Sequence, residues 1–172
     1  MSTTKIIIVD ENDNQLGLKD KLKCHLGQGI LHRAFSVFIF NSKRELLLQK
    51  RSKRKMLWPF YWTNTCCSHP RENEGYEAAA RRRLKEEMGF SCPLKLLGKF
   101  QYRANYKNIG SENELCSVLV GKYNGKISVN PREVAEFKWV NFEQLKKDVA
   151  ENKDKYTPWF KMELEKFFIK KY

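Results

Sequence analysis

The chain has 172 residues, enough for one domain with a sizeable core, and its 41% hydrophobic and 31% charged composition excludes a disordered or fibrous protein. A formal charge of +13 calls for a polyanionic partner, whether nucleic acid, acidic lipid or a phosphorylated small molecule, and it is concentrated in residues 43–55. No apolar run nears the roughly 20 residues of a membrane span, and the N-terminus carries neither a signal nor a transit pattern, so a cytoplasmic protein is predicted.

Lys5–Val9 is a short β-branched run ending at Asp10-Glu-Asn-Asp-Asn14, which predicts a strand and then a turn. Residues 19–25 are polar and leave their secondary structure open, and Gly27 and Gly29 exclude a helix between His25 and His32. Two apolar runs, residues 34–40 and Glu45–Arg51, are separated by Asn41-Ser-Lys43 and predict a β-hairpin. Its second arm lies within the basic cluster of Lys43, Arg44, Lys50, Arg51, Lys53, Arg54 and Lys55 and ends in it. Lys43, Arg44, Lys53 and Arg54 are expected to be solvated.

Residues 62–69, Trp-Thr-Asn-Thr-Cys-Cys-Ser-His, have no apolar period and lie between Trp58-Pro59 and Pro70, so they read as an ordered loop. Tyr76–Met88 is the clearest helix, rich in good helix formers and stopped by Gly89. Strand-like runs follow at 94–102, 114–122 and 134–140, with turns at 108–111 and 123–125. Asn141 caps a helix with Gln144 three residues on, and Thr157-Pro158 opens a last helix running towards Tyr172. These elements predict one α+β domain.

The five cysteines, Cys24, Cys66, Cys67, Cys92 and Cys116, include no Cys-x-x-Cys pair and are expected as free thiols rather than a disulfide framework or a zinc site. Cys66 is expected to be a packing residue, and Cys24, Cys92 and Cys116 small core or surface residues. All three histidines, His25, His32 and His69, accompany Glu112 and Glu114, whose spacing puts both carboxylates on one side of a strand. If these five converge, a His3Glu2 set exceeds the four ligands of structural zinc and suits zinc in expanded coordination, manganese or magnesium.

Glu74, Arg82, Leu84, Glu86, Glu87, Gly89 and Phe90 fall at the spacing of the Nudix signature, with Ser68 where its first glycine belongs and Arg83 in place of an acidic residue. Carboxylates so placed can hold a hard cation that neutralises a diphosphate. Arg82–Glu86 and Arg83–Glu87 are equally i,i+4 ion pairs, each worth a few tenths of a kcal/mol. Together with Trp-Thr-Asn-x-x-Cys-x-His-Pro at 62–70, Glu-Asn-Glu at 112–114 and His25-x6-His32, this altered frame resembles type I isopentenyl-diphosphate Δ-isomerases over nearly the whole chain.

The resemblance implies a Nudix-like mixed sheet sandwiched by helices, one catalytic domain over 1–172, with 1–30 an N-terminal extension contributing to the site and 157–172 a C-terminal helix. It implies a monomer that interconverts isopentenyl and dimethylallyl diphosphate in isoprenoid biosynthesis, with no nucleic acid as partner. Cys67 and Glu114 would move protons on opposite faces of the substrate, with Tyr102 assisting Glu114. His25, His32, His69, Glu112 and Glu114 would hold one Zn2+, Mn2+ or Mg2+, and Glu87 a second, substrate-associated Mg2+. Lys21, Arg51, Lys55 and Arg83 would clamp the diphosphate, Ser68 would add a backbone contact, and Trp159 would wall the reacting carbons. A Nudix pyrophosphohydrolase of a nucleoside diphosphate derivative, and a basic nucleic-acid- or membrane-binding module, are the alternatives. Arg83 argues against the first, and the expected burial of Phe35, Phe38 and Phe40 against the second.

Overall fold

A computed structural model describes residues 4–169; the last part of the expected helix to Tyr172 lies outside them. Nine strands among the described residues form one mixed sheet: β1 (Lys5–Val9), β2 (Gln15–Asp20), β3 (His32–Phe40), β4 (Glu45–Arg51), β5 (Trp62–Thr63), β6 (Cys66–Ser68), β7 (Leu94–Tyr106), β8 (Gly110–Lys122) and β9 (Val134–Asn141). The helices are α1 (Lys21–His25), α2 (Tyr76–Met88), α3 (Phe142–Glu151) and α4 (Pro158–Glu163), the last continuing as a wider π-type turn over Leu164–Ile169. The expected α+β class and helix-flanked mixed sheet are both present.

The alternation of β3 explains the two layers. Phe35, Val37 and Ile39 point to one face, where Ala79, Ala80, Leu84 and Met88 of α2 cover them. Ala34 and Phe38 point to the other, against Trp159, Phe160 and Leu164. Each such large side chain contributes about 1.5–3 kcal/mol on full burial. The buried positions of α2 recur at helical spacing, and Gly89 ends it at φ 80, a left-handed conformation in which a Cβ would collide with the Ser128 carbonyl. Asn141 caps α3 as expected, accepting from the backbone N–H of Glu143 and Gln144.

The predicted β3–β4 hairpin is corrected. The strands are joined by a tight turn but pair only at Phe40↔Leu46; beyond it they diverge, β4 pairing with β9 and β5, and β3 with β6 and β8. The segment at 62–69, expected as a loop, supplies β5 and β6 and fills the gap. Polar side chains bond it there: Thr65 Oγ1 accepts from Ile39 N at 3.0 Å and donates to the Leu47 carbonyl at 2.7 Å. Asn64 Nδ2 donates to the Val37 and Cys66 carbonyls. Strand β2 and helix α1, left open by the sequence, are likewise resolved: β2 pairs with β1 around the expected turn at Asp10–Asn14.

The register of the long strands positions the site. The parallel β3–β8 ladder sets His32 opposite Glu114, and the antiparallel β7–β8 ladder sets Glu114 opposite Tyr102. Cys67 of β6 stands opposite Ser36, four residues along β3 from His32 and on the face of His32 and Phe38. One face of the split sheet thus carries His32, Glu114, Tyr102 and Cys67.

Candidate active site

Five side chains from four parts of the chain converge beside that face. His25 ends α1, His32 begins β3, His69 follows β6, and Glu112 and Glu114 lie on β8; one ligand atom of each falls within 4.8 Å of all the others. His25 Nε2 is 2.9 Å from Glu112, His32 Nε2 is 3.1 Å from His69 Nε2, and His69 Nε2 is 3.2 Å from Glu114 Oε1. Donors about 2.1 Å from one ion and at right angles stand about 3.0 Å apart, so the spacing fits a shared cation.

The surroundings fit it too. His25 Nδ1 and His32 Nδ1 lie 2.7 and 2.6 Å from the carbonyls of Lys21 and Ile30, which can only accept, so both rings carry their proton on Nδ1 and can turn an Nε2 lone pair to the cluster. Burial, followed by the nearby Lys21 ammonium, pushes His69 well below the ordinary imidazole range and keeps it neutral. Burial alone would raise Glu114, but the neighbouring His32 ring, its Nε2 3.6 Å away, and the hydrogen bond from Tyr102 hold it below the usual carboxylate range. The cluster can therefore hold a metal ion.

A cavity of about 410 Å³ opens over this cluster. Cys67, Ser68, Tyr102, Glu114 and Trp159 line it, together with Lys21, Arg51, Lys55 and Arg83. Burial pushes the Cys67 thiol up to about 12, only partly opposed by Arg51, whose Nη1 lies 4.0 Å from the sulfur. At neutral pH it is a thiol, not a thiolate. Tyr102 donates its hydroxyl to Glu114 Oε2 at 2.6 Å and is itself buried. Lys21, exposed at the cavity rim, is lowered by partial loss of solvation and by the neighbouring Lys55 and Arg83.

Trp159 is 2% exposed, and the Cys67 segment holds it in place: its Nε1 donates to Asn64 Oδ1 at 3.3 Å, while Thr157 N donates to the Trp62 carbonyl at 3.0 Å. Arg51 stacks over the indole at 5.2 Å. Its Nε and Nη2 grip the Leu57 and Trp58 carbonyls, leaving Nη1 towards Cys67. That grip steadies a turn in which Trp58 and Phe60 both have positive φ.

Not every expected residue reaches the cavity wall. Glu87 is buried behind Arg83, which donates to it at 2.5 Å, with Gln49 on its other oxygen at 3.1 Å. Both i,i+4 pairs anticipated on α2 are present, and Glu74 of the Nudix frame forms a two-pronged ion pair with Arg82. Trp62 lies away from the cavity, its indole between Lys50 and Lys138. Cys24, Cys66, Cys92 and Cys116 are free thiols, as expected, and all four are buried. Lys43, Arg44, Lys53 and Arg54 are exposed as expected, and Arg54 also borders the cavity mouth with Arg132. Sequence reasoning missed Glu133, which lines the cavity and pairs with Lys55 and Arg83. Its signal was slight: an acid just before an apolar strand, far from any motif.

The architecture and its carboxylate-bearing helix define a NUDIX-domain protein, and the NUDIX domain model matches residues 30–160. A MutT protein from Methanosarcina mazei shares the fold at a TM-score of 0.67 and 19% identity, covering 82% of this chain and 95% of that one. A Deinococcus radiodurans crystal structure does so at 0.77 and 18%, covering 95% and 99%. Among curated proteins, isopentenyl-diphosphate Delta-isomerase 1 of Photorhabdus laumondii is 44% identical over 92% of this chain and 91% of its own. Isopentenyl-diphosphate Delta-isomerase I of Camptotheca acuminata is 42% identical over 99% and 83%. The chain belongs to the isopentenyl-diphosphate Delta-isomerase family. Among the described residues no helix is long and apolar enough to cross a membrane.

Proposed function

We propose that this protein is an isomerase of isoprenoid biosynthesis that interconverts isopentenyl diphosphate and dimethylallyl diphosphate. The observation that carries the reading is one cavity in which a neutral thiol, Cys67, and a carboxylate with its phenol, Glu114 and Tyr102, share a space lined by Lys21, Arg51, Lys55 and Arg83. The chain's relatives bear the isomerase name.

Shifting a double bond by one carbon adds a proton at one end of the allyl unit and removes one at the other. Cys67 and Glu114 handle these two protons, and their roles exchange when the direction reverses. Tyr102 orients the Glu114 carboxyl through its 2.6 Å hydrogen bond. The tertiary carbocation between the two transfers is stabilised by the indole face of Trp159, and the walls of the buried site keep water away from it. Lys21, Arg51, Lys55 and Arg83 bind the diphosphate, with the Ser68 backbone beside them.

His25, His32, His69, Glu112 and Glu114 would hold a Zn2+, Mn2+ or Mg2+ ion, which supplies positive charge that fixes the Glu114 carboxyl and makes its proton more acidic. Mg2+ would accompany the diphosphate, with Glu87 as its protein ligand once Arg83 turns to the phosphate oxygens. A pyrophosphohydrolase is disfavoured because Arg83 stands where the Nudix signature has an acidic residue, which leaves one metal-binding carboxylate fewer on the helix.

The test is incubation with labelled isopentenyl diphosphate followed by mild acid. An allylic diphosphate ionises in acid and releases its label to organic solvent, whereas the starting isomer does not. Acid-released label supports the isomerase; inorganic phosphate without it contradicts the proposal.

A further inference from the structure

Two of the four cations of the proposed clamp have a carboxylate partner of their own inside the cavity. Glu133 pairs with Lys55 through one carboxylate oxygen and with Arg83 Nη2 through the other, at 3.1 Å. All three residues line the same cavity, so this ion pair occupies the anion-binding end of the site rather than an outer surface. Burial by itself would raise the Glu133 carboxyl, yet Lys55 and Arg83 bring it down to about 2, and it is fully ionised at neutral pH.

Its backbone is pinned where the clamp residues meet. The Glu133 carbonyl accepts from Ser52 N at 3.0 Å, Ser52 Oγ donates to the Arg132 carbonyl at 2.7 Å, and Asn130 N donates to the Glu87 carbonyl at 2.8 Å. The segment before β9 is thereby tied to the turn that carries Lys55 and to the helix that carries Arg83. Arg83 retains Glu86 and Glu87 as partners at 2.5 Å each, while its buried Nε–H has no partner among the described residues.

We infer that Glu133 is a resident counter-anion of the diphosphate site: it holds Lys55 and Arg83 in place and yields them when substrate binds. The inference rests on reading Lys55 and Arg83 as diphosphate-binding residues. Two long, flexible cations facing one cavity would repel each other and spread; a carboxylate between them fixes both at the cost of competing with the substrate. A diphosphate engaging the two cations cannot leave Glu133 where it stands without placing like charges in contact. Glu133 is thus a positioning residue, and it limits how tightly substrate and product are held.

The experiment is calorimetric titration of the metal-loaded protein with inorganic diphosphate at low ionic strength, in wild type and in Glu133→Gln. Removing the competing charge is expected to tighten diphosphate binding about fivefold to thirtyfold, and KM should fall with no rise in kcat. A merely structural ion pair would give weaker binding on its removal, and an uninvolved residue no change; either result overturns the inference. Lys55→Gln and Arg83→Gln in the same titration separate the two readings. If they weaken binding while Glu133→Gln does not tighten it, the counter-anion is refuted and the clamp stands; if neither weakens binding, the clamp itself is wrong. Should Glu133→Gln fold poorly, a crystal structure of wild type with bound diphosphate decides the matter. Glu133 beyond hydrogen-bond distance of Lys55 and Arg83 supports exchange, and both contacts retained refutes it.

Discussion

The Tyr102 hydroxyl meets Glu114 Oε2 at 2.6 Å, and the two residues stand directly opposite each other in the β7–β8 ladder. Backbone pairing, not side-chain reach, therefore fixes this contact, and the other Glu114 oxygen is left to His69 at 3.2 Å. Tyr102→Phe removes the donor without altering the strand. Turnover should fall about tenfold to a hundredfold, with a stability cost near 1 kcal/mol. Steady-state kinetics and thermal unfolding check both, and undiminished kcat would remove Tyr102 from the mechanism.

Cys67→Ala and Glu114→Gln should each lower turnover by about a thousandfold or more while circular dichroism stays that of wild type. Cys67 lies on a short strand held by the backbone, with Thr65 and Asn64 anchoring the segment, so losing its sulfur leaves that anchorage intact. Near-normal activity in either variant would exclude it as a proton carrier.

Prolonged treatment with a strong chelator should strip about one ion per chain from the His/Glu cluster, abolish activity and lower the melting temperature by several degrees. Although burial opposes it, Glu112 raises His25 above the ordinary imidazole range, so a proton competes with the ion there. Metal loss should accordingly steepen as pH falls. Elemental analysis against pH measures it; metal content unaffected by chelation and acid would contradict the site.

Glu133 also governs acid stability. Its folded-state value, about 2, is depressed below the ordinary 4.5, so it contributes stability above pH 4.5, on the order of 3 kcal/mol, that is lost as pH falls from 4.5 towards 2. Glu133→Gln should therefore be less stable than wild type at neutral pH and lose less stability across that window. Denaturant unfolding at a series of pH values tests it, and parallel curves for the two proteins would contradict it.

Much of the fold was legible in the sequence because local signals agreed with the tertiary structure. Tyr76–Met88 has helix formers, buried positions at helical spacing and a glycine stop, and the structure keeps those bounds. The 32–51 hairpin misled because two apolar runs and a short turn look alike whether the strands pair throughout or are split by a third segment. What splits them is side-chain hydrogen bonding by Asn64 and Thr65, which no periodicity reveals. Strand β2 was hidden by Gly17 and its partly exposed, polar sequence. The composition of the His/Glu cluster was readable, but its convergence depends on the β3–β8 register, a pairing across some eighty residues. Glu133 left no motif at all, since its role comes from what three separate segments bring around it.

The central claim is that Cys67 and Glu114 exchange protons with the two ends of an allyl unit while the diphosphate remains intact. Proton NMR of the metal-loaded protein with isopentenyl diphosphate in deuterated water tests it most directly. The expected result is an equilibrating pair of allylic isomers that take up deuterium from solvent, with no phosphate released. Release of phosphate without a double-bond shift, or a shift without deuterium uptake over many turnovers, would contradict it.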